Sequence, residues 1–362
     1  MRRLLPPLLL LISTSFLSAQ GIDTVRVCTY NILRFDGSST DRVDEIRMIL
    51  NEIRPAVLMV QGLVNEEGYY LFLDSVARKL DMALDDRINE RYYYPGRLVR
   101  ESYVALFYDT TRFFAMKGSF HGDTPCESQT YRLRYGGTES EDAVYFATGN
   151  WQAGDTEADI EARKEQSRHL RELMAEALID YYFPNERFIF GGSLNISSSY
   201  DPGYQQLVPT MIEESIEGGQ EETYSLSVPT GRLVDPIHRP GLWHDNEAFA
   251  DIHTQSTRYQ GFGGGASGGV DDRYDQFLIA PALMDRYLVG SYTVFGNDGR
   301  HFNMAINALP NTAVSPAMVQ ALHDVSDHLP VHLDLLFQRI TSDVPGKSDA
   351  QPLDLTIVEP AE

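Results

Sequence analysis

Cysteine, tryptophan and lysine are the residues this 362-residue chain has least of. Only Lys79, Lys117, Lys164 and Lys347 occur, and 52 acidic residues against 30 Lys plus Arg give a formal charge of −22. So few cations argue against non-specific nucleic-acid binding, whose affinity comes from neutralising phosphates. Two cysteines, Cys28 and Cys126, exclude a disulfide-dense scaffold. Cys28 lies inside an apolar strand pattern and reads as a small core residue. A bond to Cys126 is permitted outside the cytoplasm, but nothing in the sequence requires one. Beyond residue 21 no apolar run is long enough to span a bilayer, so no membrane span is expected.

The start of the chain, "MRRLLPPLLLLISTSFLSAQG", has a basic end, an apolar centre and small residues at Ala19 and Gly21. Broken by Pro6–Pro7, it reads as a secretory signal over 1–21. Cleavage near Gln20–Ile22 would leave a secreted or periplasmic protein, and loss of Arg2 and Arg3 would take the charge to −24. A domain over 22–338 follows. The tail, 339–362, has charge and turn signals with few core residues, and is expected to be extended or disordered.

Within the domain, strands alternate with helices. "TVRVCTYNIL" (24–33) is β-branched and alternating, and "AVLMVQ" (56–61) is a short buried run. Between them, "STDRVDEIRMILNEIRP" (39–55) carries Val43, Ile46, Ile49, Leu50 and Ile53 on one helical face and stops at Pro55. "YLFLDSVARKL" (70–80) predicts an amphipathic helix, and "SYVALFYDTTRFFAMKGSF" (102–120) a hairpin turning at "DTT". "DAVYFATGN" (142–150) is a strand, followed by a long helix over about 155–182. Further strands are expected at 187–192, 274–280, 287–295 and 329–337. Two long loops, 208–247 and the glycine run 261–269, are candidates for shaping a binding site. This order predicts an α/β fold, a four-layer sandwich of two mixed β-sheets flanked by helices.

Several strands end in polar residues: Asn31, Gln61, Asn150, then Asn195 after "RFIFGGS", and "SDHLP" (326–330) before the last. Ligands bind beyond strand ends in such folds. A single strand-end Asn is more often a turn former. The Asp327–His328 pair suits general-base work and equally suits satisfying loop hydrogen bonds.

The ordered series "TYNILRF", "RPAVLMVQ", "NWQAG" before a long helix, "GGSLN", "DDRYDQFLIA" and "SDHLPV" resembles the endonuclease/exonuclease/phosphatase superfamily over about residues 24–338. "HTQSTR" (253–258) and the glycine run are similar to its secreted bacterial branch. The resemblance implies metal-dependent hydrolysis of phosphate esters, usually with magnesium. It maps Asn31, Asn195, Asp327 and His328 onto family positions and makes His253 and Asp275 further candidates for the pocket. Three positions depart from the pattern. Gly62 stands where the family has a metal-binding Glu, Asn150 where it has a phosphate-supporting His, and Ser193 where it has a water-orienting Asp.

Glycine offers Mg²⁺ no oxygen, so the metal is poorly held. Asn150 brings no positive charge to an anionic transition state, and Ser193 is too weak a base to polarise water. The expectation is a pseudoenzyme that retains ligand or partner binding, with no cofactor or at most weak Mg²⁺ or Mn²⁺ binding, and with its ligand or protein partner unidentified. The alternative is an active Mg-dependent phosphoesterase or nuclease with rearranged ligands, Glu66 or Glu67 folding back to replace the missing carboxylate. If the scaffold is intact, Gly62→Glu, Asn150→His and Ser193→Asp together are expected to restore hydrolysis.

Overall fold

The computed structural model describes residues 21–85, 103–120, 128–136, 142–179, 187–208, 232–261 and 263–338. The predicted signal (apart from Gly21), the tail, Cys126 and residues 209–231 of the first long loop lie outside them. Strand β1 (Ile22–Phe35) is longer than its apolar alternation suggests. Helix α1 (Val43–Ile53) buries the predicted face, Val43, Ile46, Ile49, Leu50 and Ile53. Arg54, in the left-handed region at φ 56°, ends it just before Pro55. Strand β2 (Val57–Leu63) is buried throughout and runs parallel to β1. Such two-sided burial is why it reads as a continuous apolar run.

Helix α2 (Glu66–Ser75) starts four residues before its predicted position. The Asn65 side chain caps it by accepting from the Gly68 N–H at 2.8 Å, and a 3₁₀ turn, Ala77–Lys79, follows. Glu66 and Glu67 therefore lie exposed in its first turn. There they complement the positive end of the helix dipole. They do not fold back toward position 62.

The 102–120 segment is not a hairpin. Strand β3 (Tyr103–Tyr108) pairs antiparallel with β2, whereas β4 (Phe113–Phe120) pairs with β5 (Ser128–Tyr135) in a different sheet. Asp109, almost wholly buried, builds the crossing between them. Its Oδ1 accepts from the Thr111 N–H (2.9 Å) and hydroxyl (2.6 Å), while its carbonyl receives the Arg112 and Phe113 N–H groups. This Asx turn sends the chain across the sandwich where a hairpin turn would send it back.

Strands β6 (Ala143–Gly149), β7 (Phe188–Ser193) and β8 (Asp275–Ile279) complete a mixed five-stranded sheet of order β4-β5-β6-β7-β8. The other sheet has the order β3-β2-β1-β10-β9, with β9 (Thr293–Val294) and β10 (Val331–Gln338). The predicted 287–295 strand thus shrinks to two residues, with Tyr287 making only an isolated bridge to Leu335. The sheets pack through β2 and β3 against β5, β6 and β7. Alternate residues of the second sheet point to two cores. Val144, Phe146, Ile189, Phe277 and Ile279 face the first sheet. Ala147, Phe188, Phe190 and Leu278 face α3 (Glu157–Ile179) and α4 (Pro202–Leu207). Helices α1, α2 and α5 (Pro316–Val325) share the larger core with the first sheet. The protein is an α/β sandwich of two mixed sheets with helices on the outer faces. Thr24–Phe337 form one compact unit.

Asp109→Ala should lower the unfolding free energy by about 1 kcal/mol, the net loss of the bonds from Thr111 and of the Arg112 ion pair at a partly exposed turn. Urea denaturation reads this as a reduced midpoint at unchanged slope. An unchanged midpoint would mean that strand pairing alone sets the crossing.

Candidate functional site

The strand ends named above meet at one place, and what they form there is a buried chain of hydrogen bonds between the sheets. Asn31 on β1 donates from Nδ2 to Ser193 Oγ on β7 at 3.0 Å. Ser193 donates in turn to Asp275 Oδ1 on β8 at 2.6 Å, and Asp275 Oδ2 lies 2.7 Å from His328 Nδ1, just before β10. Ser193 and Asp275 are fully buried, and Asp327 and His328 nearly so. Ser326 closes the ring by donating from Oγ to the Asn31 carbonyl (2.7 Å) and accepting the His328 N–H (3.1 Å).

Burial opposes a charged imidazole, but the carboxylates of Asp275 and Asp327 outweigh it and hold the His328 pKa up at about 9. The Gln255 amide lies 2.7 Å from His328 Nε2 and donates to Asp327 Oδ2 at 3.0 Å. One NH₂ serving both groups suits a neutral ring. The flanking carboxylates of Asp275 and Asp327 nevertheless favour the charged ring. Asp327 Oδ1, buried and without a hydrogen-bond partner, sits 3.6 Å from Nε2.

Two of the three departures from the family pattern fit this arrangement closely. Gly62 has φ +79°, inside an irregularity of β2 where its register against both β1 and β3 shifts. A Cβ there would come within 2.5 Å of Asn31 Oδ1 and 2.9 Å of the Leu33 nitrogen. Gly62 is a close-approach glycine, and the backbone as it stands does not accept a glutamate. At 193, a carboxylate would meet the Asp275 carboxylate now bonded to the Ser193 hydroxyl, and like charges so close and so buried repel strongly. Restoration by the three substitutions together is therefore not expected. Asn150, half-buried, bridges to Ser193 and accepts weakly from Asn195 Nδ2 at 3.3 Å. Asn195, in the left-handed region at φ 51°, spends its amide on the Trp151 carbonyl (2.6 Å) and so fixes the turn after β7.

His253 is fully buried and lies elsewhere. Its Nε2 is 2.8 Å from the Trp243 carbonyl and its ring packs on Phe302. Gln61 is a sheet-to-sheet tie, donating to Thr148 Oγ1 (2.6 Å) and Thr29 Oγ1 (3.0 Å). The glycine run covers the chain of bonds: Ala266 N–H donates to Asp327 Oδ2 at 2.6 Å, and a Cβ on Gly265 would stand 2.6 Å from the same oxygen. Gln255 and Ala266 are the partners that motif reading misses. Their signal in the sequence is "HTQSTR", which marks the resemblance, and the glycine run, expected to shape a binding site; neither by itself points to Asp327.

The donor set does not suit the magnesium the resemblance implies. Asn31 Oδ1 is taken by the Leu33 N–H (3.1 Å), and both Asp275 oxygens and Asp327 Oδ2 are engaged. Position 62 supplies no oxygen, and Mg²⁺ needs a near-octahedral oxygen shell. Outside this buried centre, a cleft of about 300 Å³ is lined by Leu33, Arg34, Ser38, Ser39, Asp41, Arg42 and Gly263. Arg42 is committed to the carbonyls of Ile32, Leu33 and Val325, while Arg34 is exposed. Among the described residues no helix is long and apolar enough to cross a membrane.

No protein-family model and no curated protein matches the chain. Solved structures do. An endonuclease/exonuclease/phosphatase family protein from Bacteroides thetaiotaomicron is similar with 16% identity and a TM-score of 0.51, over 88% of this chain and 97% of that one. A mannosyl-6-phosphatase of the same organism is similar with 15% identity and a TM-score of 0.50, over 86% of this chain and 100% of that one. TDP2 of D. rerio, solved with a single-strand DNA product, aligns at 14% identity and a TM-score of 0.48 over 86% of this chain and 98% of that one. The two mixed sheets and the likeness to the two Bacteroides thetaiotaomicron proteins show that this chain shares their fold, that of an endonuclease/exonuclease/phosphatase family protein.

Proposed function

We propose that this chain is a non-hydrolytic member of the phosphoesterase fold, a pseudoenzyme whose inherited centre holds the two sheets together and whose work is binding. The observation that carries this is the Asn31–Ser193–Asp275–His328 chain of bonds, buried and closed over by Ala266. Hydrolysis of a phosphate ester needs a placed metal or cationic clamp, an oriented water and an acid or base free to exchange a proton. Gly62 removes the metal carboxylate. Ser193 is neutral and already bonded on both sides. His328, the one strong proton carrier, is pinned between Asp275 and Asp327.

The cleft beside Arg34 supports binding of a small polar or anionic ligand, and the charge of −22 argues against a nucleic-acid polymer as that ligand. Secretion or periplasmic residence is part of the same proposal, resting on the first 21 residues alone.

The test is hydrolysis of a generic phosphodiester and of a sugar phosphate monoester with Mg²⁺ or Mn²⁺. Neither metal should stimulate turnover above the background of His328→Ala. Metal-stimulated turnover that disappears in His328→Ala would overturn the proposal and return the chain to the active phosphoesterases.

A clasp held by a buried imidazolium also has a pH signature. Because the folded-state pKa of His328 is raised, its stabilising contribution is complete below the ordinary value of ~6.5 and is lost as pH rises through about 9. The expected loss across that window is roughly 3 kcal/mol, read from urea midpoints. His328→Gln should flatten the dependence there. A wild-type stability that stays level from neutral pH through about 9 would mean the ring is already neutral in the fold.

A further inference from the structure

A second group of side chains, outside the inherited centre, has metal-ligating chemistry. His244, Asp271 and Asp272 each present one ligand atom, and these atoms all lie within 4.8 Å of one another. His244 Nδ1 is 2.9 Å from Asp272 Oδ1. Asp271 is the informative member. It is only 7% exposed, yet its Oδ1 is buried with no hydrogen-bond partner. A buried, unsatisfied carboxylate oxygen beside a second buried carboxylate is costly unless something cationic completes it.

The backbone holds the group in place. The N–H groups of Asp271 and Asp272 both donate to the Gln255 carbonyl at 2.8 Å, and the Asp272 carbonyl accepts from Thr254 and Gln255. His244 N–H is tied to the Ser197 carbonyl, and Asp245 N–H to the Asp271 carbonyl. The backbone positions of both aspartates are therefore fixed, both side chains are buried, and the exposed His244 ring is the member with room to adjust. Ligand atoms around a tetrahedral ion at bond lengths of about 2.1 Å stand roughly 3.4 Å apart, so the group, now within 4.8 Å, closes on an ion by small side-chain rotations.

We propose that His244, Asp271 and Asp272 form a binding site for a divalent transition-metal ion, Zn²⁺ or Mn²⁺. Asp271 Oδ1 is the oxygen that the ion satisfies. One imidazole and two carboxylates are a mixed nitrogen–oxygen set, which favours these ions over Mg²⁺ or Ca²⁺. The exposed side of His244 leaves the remaining coordination positions to water. The site is distinct from the Asn31–Ser193–Asp275–His328 centre and is joined to it through Thr254, whose N–H donates to the Asp272 carbonyl and whose Oγ1 accepts the Asp275 N–H at 3.0 Å, and through Gln255. The Gln255 carbonyl holds Asp271 and Asp272, while its amide contacts Asp327 and His328.

The full chain, dialysed against chelator, is titrated with Zn²⁺ alone and with Mn²⁺ alone by calorimetry, and its thermal midpoint is followed in parallel. At least one of the ions should bind at one per chain and raise the midpoint, since a ligand specific to the folded state stabilises it. His244→Ala, at an exposed position, should weaken binding by about 10- to 100-fold or more. Asp271→Asn should abolish binding while the metal-free midpoint stays level or rises, because the uncompensated charge is removed. A purely structural Asp271 would instead lose stability. Asp327→Asn should still bind. No heat with either ion up to about 1 mM, or binding that survives both His244→Ala and Asp271→Asn, overturns the proposal. So does binding lost only in Asp327→Asn, which would put the ion at the inherited centre.

Discussion

The His328–Asp275 bond is the constraint on which the rest of the molecule depends. Asp275 belongs to one sheet and His328 leads into the other, so this buried charged contact and the Asn31–Ser193 bond beside it fix how the sheets meet. Apolar packing between sheets is forgiving of small slides, but directional bonds between buried polar groups are not, because any slide leaves a donor or acceptor unsatisfied at about 1–3 kcal/mol each. Gln61, bonded across to Thr148, repeats the device one strand further along. The polar seam sets the register, and the apolar layers on either side supply most of the stabilisation.

How much of this the sequence makes legible depends on whether the relevant partner is local. The strand cores of β1, β2 and β7, the face of α1 and its stop at Arg54–Pro55 are all written in periods and punctuation of a few residues. Strand β5 is not, because "SQTYRLRY" carries two arginines and hides its alternation behind them. Helix α5 is preceded by a start signal, Ser315–Pro316, whose hydroxyl caps Met318, but the loop-like residues before it mask that signal. The β3–β4 segment fails for a different reason. A turn of Asp and Thr between apolar runs looks the same whether the strands pair with each other or with other partners, and only tertiary pairing decides.

The candidate site divides in the same way. Motif order brings Asn31, Ser193, Asp275, Asp327 and His328 to notice because their spacing along the strands survives in the sequence. What sits on them does not, since Ala266 and Gln255 reach Asp327 from loops far from it along the chain. Position 62 is the instructive case. Read as a motif it is a missing glutamate; read as backbone it is a positive-φ glycine pressed against Asn31 Oδ1 and the Leu33 nitrogen. The second is what the structure shows, and it means that the backbone as it stands does not accept a glutamate.

That difference bears on how the departures depend on one another. A serine at 193 can take a bond from Asn31 and give one to Asp275 because it is neutral and has one proton and free lone pairs. A carboxylate in that place would need a cation between itself and Asp275, which is what a bound metal would supply. Without such a cation an Asp at 193 would be a buried uncompensated charge, which the neutral serine is not. The glycine run lies over Asp327, with the Ala266 N–H donating to its Oδ2 at 2.6 Å. The glycine at 62, the neutral hydroxyl at 193 and the covered Asp327 are thus mutually consistent, each suiting a centre whose polar groups are satisfied by the chain itself.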